Sequence, residues 1–255
     1  MADHDFAGRR ALITGAASGI GAACARWLAQ RGIAGLVLVD LDAAGLDALD
    51  LPCPVERHAG DVADEALWDR IEASSGPLHH AVINAGIANG TPIVAQDFGE
   101  WRKILSVNLD GAFLALRMAL RNMKQHGTGK SVVLTSSAVG VKPYAFTSAY
   151  GSSKAAVAHL ARVAAAEHQA DLIRVNAIAP GRVETPIWTK TDQYRLLVSE
   201  LGGEAAAMAA LREEAEKSGP IVTADHLAGQ IGFLLSDAAA NITGTVLVSD
   251  GGFTN

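Results

Sequence analysis

The sequence predicts an α/β fold: one doubly wound parallel sheet with helices on both faces. Three observations predict it. Short apolar runs alternate with helical patterns along the chain, as strands joined by crossover helices require. A glycine-punctuated polar turn joins the first apolar run to the first helix. The 255 residues, 49 % apolar and 19 % charged, are enough to bury one substantial core. No linker, low-complexity tract or internal repeat divides the chain, so residues 1–255 read as a single domain.

The elements follow in order. Residues 11–13 form a buried strand, and Thr14-Gly15-Ala16-Ala17-Ser18-Gly19-Ile20-Gly21 the turn after it. Glycine lets a backbone turn tightly and approach a ligand with no Cβ in the way. A helix over residues 22–30 would aim its unpaired N–H groups and positive dipole end at that turn, an environment that suits a pyrophosphate. Ser18 is placed to touch phosphate. A second strand, 36–39, ends at Asp40, where a dinucleotide-binding fold puts the carboxylate that accepts from the adenosine ribose hydroxyls.

Residues 41–51 read as a short helix and loop, 55–57 as a third strand, and 65–73 as a helix that Asp61 can cap. The fourth strand, 81–83, ends in Asn84-Ala85-Gly86, small residues that let a ligand lie on the backbone at the carboxyl edge of the sheet. One long helix is predicted over 98–126, with Asn108 inside it, where asparagine is unfavourable unless it bonds locally or has a task. Strand five is 131–135, followed by Ser136 and Ser137. The helix over 150–167 is apolar on nearly every side, which predicts burial against the sheet and against a second subunit. Strand six is 174–178, broken by Pro180-Gly181. Residues 184–222 show no strand pattern and hold one helix, 204–217, with charges spaced to pair across turns. A last helix over 225–235, a strand over 245–248 and the turn Asp250-Gly251-Gly252 complete the chain.

Tyr150 and Lys154 stand four apart at a helix start, hence on one face. A phenol is a poor base at neutral pH; a neighbouring ammonium favours the phenolate and lowers its pKa, and an oxidised nicotinamide ring adds further positive charge. Tyr150 is therefore expected to exchange a proton with an alcohol or carbonyl while hydride moves to or from a nicotinamide. Ser137, at the carboxyl end of strand five, can donate to the substrate oxygen as charge develops there.

Together Asn108, Ser137, Tyr150 and Lys154 resemble the catalytic tetrad of the short-chain dehydrogenases/reductases, and the Gly15, Gly19, Gly21 spacing resembles that family's Rossmann-type glycine motif. The resemblance runs from about Gly8 to Gly252. It implies that Asn108 holds a water linking Lys154 to solvent, and that Asp61-Val62 line the adenine pocket. It implies that the Pro180-Gly181 motif, Val183 and Thr185 bind the cofactor, with Val183 and Thr185 holding the nicotinamide carboxamide, and that residues 184–222 form the substrate lid. It also implies an oxidoreductase acting between secondary alcohol and ketone, and a homotetramer.

The cofactor is expected to be NAD. Asp40 would repel a 2′-phosphate, and neither residues 16–18 nor Leu41-Asp42 offers the Arg or Lys that NADP requires. Arg9 and Arg10 should lie at the far end of strand one. A net charge of −6 argues against nucleic acid, and no apolar run is long enough for a membrane span. Met1 to Asp5 lacks the regions of a signal peptide. Two cysteines without a CxxC pair predict buried free thiols in the cytoplasm. No metal site is expected, and His79-His80 read as exposed loop histidines; the absence of GxSxG argues against a serine hydrolase.

The substrate is expected among residues 139–148, 85–90 and 184–222. Val141, Tyr144, Phe146, Ile187 and Trp188 are candidate apolar contacts, and Lys142, Arg182, Lys190 and Arg195 candidate polar ones. The alternative function is a catalytically silent regulatory or scaffold protein that kept the nucleotide site.

Overall fold

In the computed structural model, the described residues are 6–125, 129–189, 191–216 and 220–255. The reading of Met1 to Asp5, the helix ends at His126 and Lys217, and the candidate contact Lys190 lie outside them. Seven parallel strands make the main sheet: β1 (Arg10–Thr14), β2 (Gly35–Asp40), β3 (Val55–Ala59), β4 (His80–Ile83), β5 (Lys130–Thr135), β6 (Ile173–Pro180) and a terminal strand, Val246–Ser249. Their order, β3-β2-β1-β4-β5-β6 and then the terminal strand, reverses direction beside β1. Ligands bind doubly wound sheets at the carboxyl edge of that switch point.

Helices cover both faces. α1 (Gly19–Ala29), α2 (Ala43–Asp47) and the helix Ala224–Leu235 bury Cys24, Leu28, Leu46, Leu227, Ile231 and Leu234 against one face. α3 (Glu65–Ser74), α4 (Phe98–Leu105), α5 (Gly111–Lys124) and α6 (Ser148–Glu167) lie along the chain between β3 and β6, and α3, α5 and α6 cover the other face. The apolar strand residues facing each set, such as Ile13 and Leu38 on one side and Leu12 and Val37 on the other, alternate as a two-sided sheet demands.

Several expectations change. α1 starts at Gly19, three residues early, because Ser18 takes the extended conformation of a cap. Asp64, not Asp61, caps α3, its carboxylate accepting from Ala66 N–H at 3.0 Å. Residues 98–126 are not one helix: a π turn over Ser106–Asp110 separates α4 from α5. In the stretch read as strandless, a two-residue strand β7 (Val183–Glu184) pairs with β8 (Val222–Thr223). Between them, α7 (Asp192–Leu201), not expected from the sequence, precedes α8 (Glu204–Glu216). In α8, Arg212 pairs with Glu184 on β7. The terminal helix and strand become α9 (Ala224–Leu235) and β9 (Val246–Ser249).

The histidine reading is overturned. His80 is fully buried as the first residue of β4, and His79 is half-buried, its Nδ1 accepting from Arg10 N–H at 3.2 Å. Ser131 Oγ donates to the Leu235 carbonyl at 2.8 Å, so His80 Nδ1–H donates to that Oγ, also at 2.8 Å. Burial pushes the His80 pKa down to about 3, keeping the ring neutral. Cys24 is buried and Cys53 only half-buried; both are free thiols. No described helix is long and apolar enough to cross a membrane. No described cluster of His, Cys, Asp and Glu could hold a metal.

Candidate active site

The nucleotide-type residues line the carboxyl edge on either side of β1. Gly15 has φ +66°, and a Cβ there would stand 2.9 Å from Ala85 Cα; a Cβ on Gly21 would collide with the Gly15 carbonyl. The turn therefore leaves a bare backbone cradle below the first turn of α1, where no acidic side chain competes for the N–H groups. Ile20 sits in that first turn, and the Ser18 side chain makes no bond to the helix it caps.

Asp40, ending β2, reaches over the same turn. Its Oδ2 accepts from Ala17 N–H at 2.9 Å and its Oδ1 from Asp42 N–H at 3.0 Å. On the other side Thr14 Oγ1 accepts from the N–H groups of Asn84 and Ala85, at 2.9 and 3.0 Å, tying the end of β4 to β1. Asp61 Oδ1 accepts from Ala63 N–H at 2.9 Å, and Val62 is buried beside Gly111. Pro180 closes β6, Val183 is buried, and Thr185 stands against Gly19, 3.3 Å from where a Cβ would be. A bare cradle with Thr185 folded against it and an anchored carboxylate at its side fit a dinucleotide. Arg9 pairs with Asp237 and Arg10 with Glu56, at the opposite, amino edge.

The four tetrad residues converge. Asn108, buried in the π turn, accepts from Ile87 N–H at 2.8 Å through Oδ1; its Nδ2 donates to the Ile87 carbonyl at 2.9 Å and to Ser153 Oγ at 3.0 Å. Those bonds explain the break in the helix, since π turns commonly mark functional positions. Ser153 Oγ in turn donates to the Tyr150 carbonyl at 2.7 Å. Lys154 Nζ donates to the Thr135 carbonyl at 2.8 Å and lies 5.8 Å from the Tyr150 ring centroid. A Cβ on Gly86 would sit 3.2 Å from both Asn108 Oδ1 and Lys154 Nζ, so only glycine leaves that space open.

Electrostatics here depart from the sequence reading. Burial raises the Tyr150 pKa, and a hydrogen bond with the Ser137 side chain partly opposes the rise. The Lys154 pKa falls to about 8 because the ammonium is buried. The pair is a proton donor–acceptor set in which the Lys154 ammonium favours the phenolate and burial opposes it.

A cavity of about 170 Å³ opens in front of Ser137. Of the candidate contacts, Tyr144 and Arg182 line it; Val141, Phe146, Ile187, Trp188, Lys142 and Arg195 do not. Sequence reasoning missed Thr14, Ser153, Ser136, whose Oγ donates to the Lys154 carbonyl at 2.7 Å, and Phe253 on the cavity wall. A hydroxyl closing an apolar strand, as in Thr14, was the available signal. Ser153, between Tyr150 and Lys154, was another.

A family model described as Enoyl-(Acyl carrier protein) reductase matches residues 15–254. The chain is 40 % identical to cis-4-hydroxycyclohexanecarboxylate dehydrogenase of Sinomonas cyclohexanicum, covering 98 % of each chain. It is 37 % identical to galactitol 2-dehydrogenase (L-tagatose-forming) of Cereibacter sphaeroides, over 97 % of this chain and 95 % of that one. Among solved structures, levodione reductase superposes with a TM-score of 0.84 at 32 % identity, covering 98 % of each chain. L-sorbose reductase from Gluconobacter frateurii, complexed with NADPH and L-sorbose, gives 0.89 at 27 % over 100 % and 99 %. The 3-ketoacyl-(acyl-carrier-protein) reductase from Brucella melitensis, complexed with NADH, gives 0.83 at 28 % over 98 % and 100 %.

Proposed function

This chain belongs to the short-chain dehydrogenase/reductase family, and from that premise we propose that it is an NAD-linked enzyme with Tyr150 as its acid/base. It is an oxidoreductase that interconverts secondary alcohols and ketones with a nicotinamide cofactor. One observation carries the assignment of roles: the Ser137 side chain acts on the Tyr150 hydroxyl, with the buried Lys154 ammonium 5.8 Å from the ring centroid.

When bound, the cofactor supplies a hydride acceptor and a positive ring that favours the phenolate. Tyr150 Oη takes the alcohol proton in oxidation and returns one to the ketone oxygen in reduction. Ser137 donates a hydrogen bond to that oxygen where charge develops. Lys154, fixed by the Thr135 carbonyl, sets the field at the phenol. Asn108 holds Ile87 and, through Ser153, the first turn of α6; a water on it linking Lys154 to solvent completes the proton route.

NAD is favoured over NADP by Asp40, whose two oxygens are already oriented by Ala17 and Asp42. The cofactor set comprises Gly15, Ser18, Gly19, Ile20 and Gly21 at the pyrophosphate, and Asp40 at the ribose. Asp61 and Val62 flank the adenine. Asn84, Ala85 and Gly86 lie along the backbone, with Pro180, Gly181, Val183 and Thr185 at the carboxamide. We read the chain as one domain with a lid at about 184–222, working in the cytoplasm.

α5 and α6 leave Phe113, Ala155, Val163 and Ala166 exposed. A homotetramer that covers these faces is the assembly we infer, and light scattering of the intact protein should give four chain masses; a monomer mass refutes it. A panel of cyclic, linear and polyhydroxy secondary alcohols, followed by NADH absorbance, tests the function. Turnover of at least one is expected. NADH binding without turnover of any of them would favour the silent scaffold instead.

A further inference from the structure

The cavity in front of Ser137 is walled by Ala138, Val139, Tyr144, Pro180, Pro220 and Phe253. Phe253 belongs to the turn after β9, and that turn is tightly held. Asp250 Oδ1 accepts from Gly252 N–H at 2.9 Å, and Oδ2 from Thr254 N–H at 2.8 Å. Lys142 Nζ reaches across from the loop before α6 and donates to the main-chain oxygens of Phe253 and Asn255, at 2.8 and 3.2 Å.

The ring itself is fixed on three sides. The Lys142 ammonium lies 5.4 Å from its centroid and the Arg182 guanidinium 5.8 Å, both within the range of cation–π attraction. Tyr144 packs against it with centroids 6.0 Å apart and planes tilted by 58°. Elements from both sides of the cavity thus meet on one half-buried phenyl ring.

The remaining lining limits what can bind. Its polar groups are those of Ser137, Arg182, Asp250 and the Tyr144 hydroxyl, and Ser137 is the one read as serving the reacting oxygen. Asp250 already accepts from two N–H groups. A chain of hydroxyls would leave water for a largely apolar wall, at a cost in unmade hydrogen bonds. A compact ring with one secondary alcohol would instead gain apolar contact.

We propose that Phe253 is a specificity-determining residue whose ring, held by the Asp250 turn and Lys142, packs on the apolar face of an alicyclic secondary alcohol or ketone. This rests on the reading that the substrate oxygen lies at Ser137 and Tyr150.

The test compares Phe253→Ala, Phe253→Tyr and Lys142→Met with the unaltered protein, using small ring-substituted cyclohexanols and a linear hexitol, with NAD⁺. Phe253→Ala is expected to lower kcat/KM for the cyclohexanols about 10-fold, mainly through KM. The hexitol value and the NADH Kd should change less than about 2-fold, on the order of 0.4 kcal/mol. Phe253→Tyr should keep the preference, and Lys142→Met should fall between. Equal losses on both substrates, or an unchanged ratio, would overturn the role of Phe253 while leaving the oxidoreductase site standing. An unaltered protein that turned over neither substrate class would overturn both.

Discussion

Tyr150→Phe is expected to lower kcat/KM for alcohol oxidation by about 1,000-fold, roughly 4 kcal/mol of transition-state stabilisation. The substrate hydroxyl must lose a proton as its carbon loses hydride, and the phenol is the tetrad group influenced by the Ser137 side chain that lines the cavity. Lys154 is not a substitute, because its Nζ is turned to the Thr135 carbonyl at 2.8 Å. Phenylalanine preserves the ring beside Lys154 and removes only the hydroxyl, so the fold and the NADH Kd should stay within about 2-fold of the parent value. Steady-state rates and NADH fluorescence titration measure the two quantities separately. A variant that turns over alcohol at the parent rate would remove Tyr150 from the mechanism.

That prediction leans on features of unequal legibility in the sequence. The glycine turn and Asp40 were readable because backbone approach and charge demand particular residue types at fixed distances along the chain. The tetrad was readable only as a set, since each member alone is commonplace. The π turn at Asn108 was not: inserting one residue into a helical turn shifts the apolar period too little to interrupt the pattern across residues 98–126. What forces it is a long-range bond to Ile87, invisible until β4 and the helix meet. The missed helix α7 is a different failure, because its signals were present. Thr191 accepts from Tyr194 N–H as a cap, and Gly202 ends the helix at φ +75°. His80 was misread because a polar side chain at a strand start looks exposed until Ser131 is seen to receive it.

The pKa pattern was the least legible feature. Sequence spacing places an ammonium near a phenol, yet the sign of the net shift at the phenol depends on how strongly burial opposes that charge. In the folded chain, burial raises Tyr150 and lowers Lys154 to about 8, so each group is pushed toward neutrality. The positive ring of an oxidised nicotinamide would add to the Lys154 ammonium in favouring the phenolate, which couples proton transfer to cofactor binding.

The identity of that cofactor gives the second large effect. Replacing Asp40 with Ala and Leu41 with Arg together is expected to shift the kcat/KM ratio of NADP⁺ to NAD⁺ by about 100-fold or more toward NADP⁺. Asp40 lies with both carboxylate oxygens anchored above the glycine turn, so a 2′-phosphate placed there meets a fixed negative charge that cannot rotate away. Leu41 is 75 % exposed, and a guanidinium in its place gains a bidentate phosphate partner without displacing any core side chain. Asp40→Ala alone removes the repulsion and the ribose acceptor together, so it should weaken NAD⁺ more than it strengthens NADP⁺. The added arginine should then account for most of the NADP⁺ gain. Kinetics with both cofactors on the two single variants and the double variant separate these contributions. An unaltered ratio in the double variant would mean that the ribose does not lie at Asp40, and the placement of the dinucleotide on the carboxyl edge of β2 would fall with it.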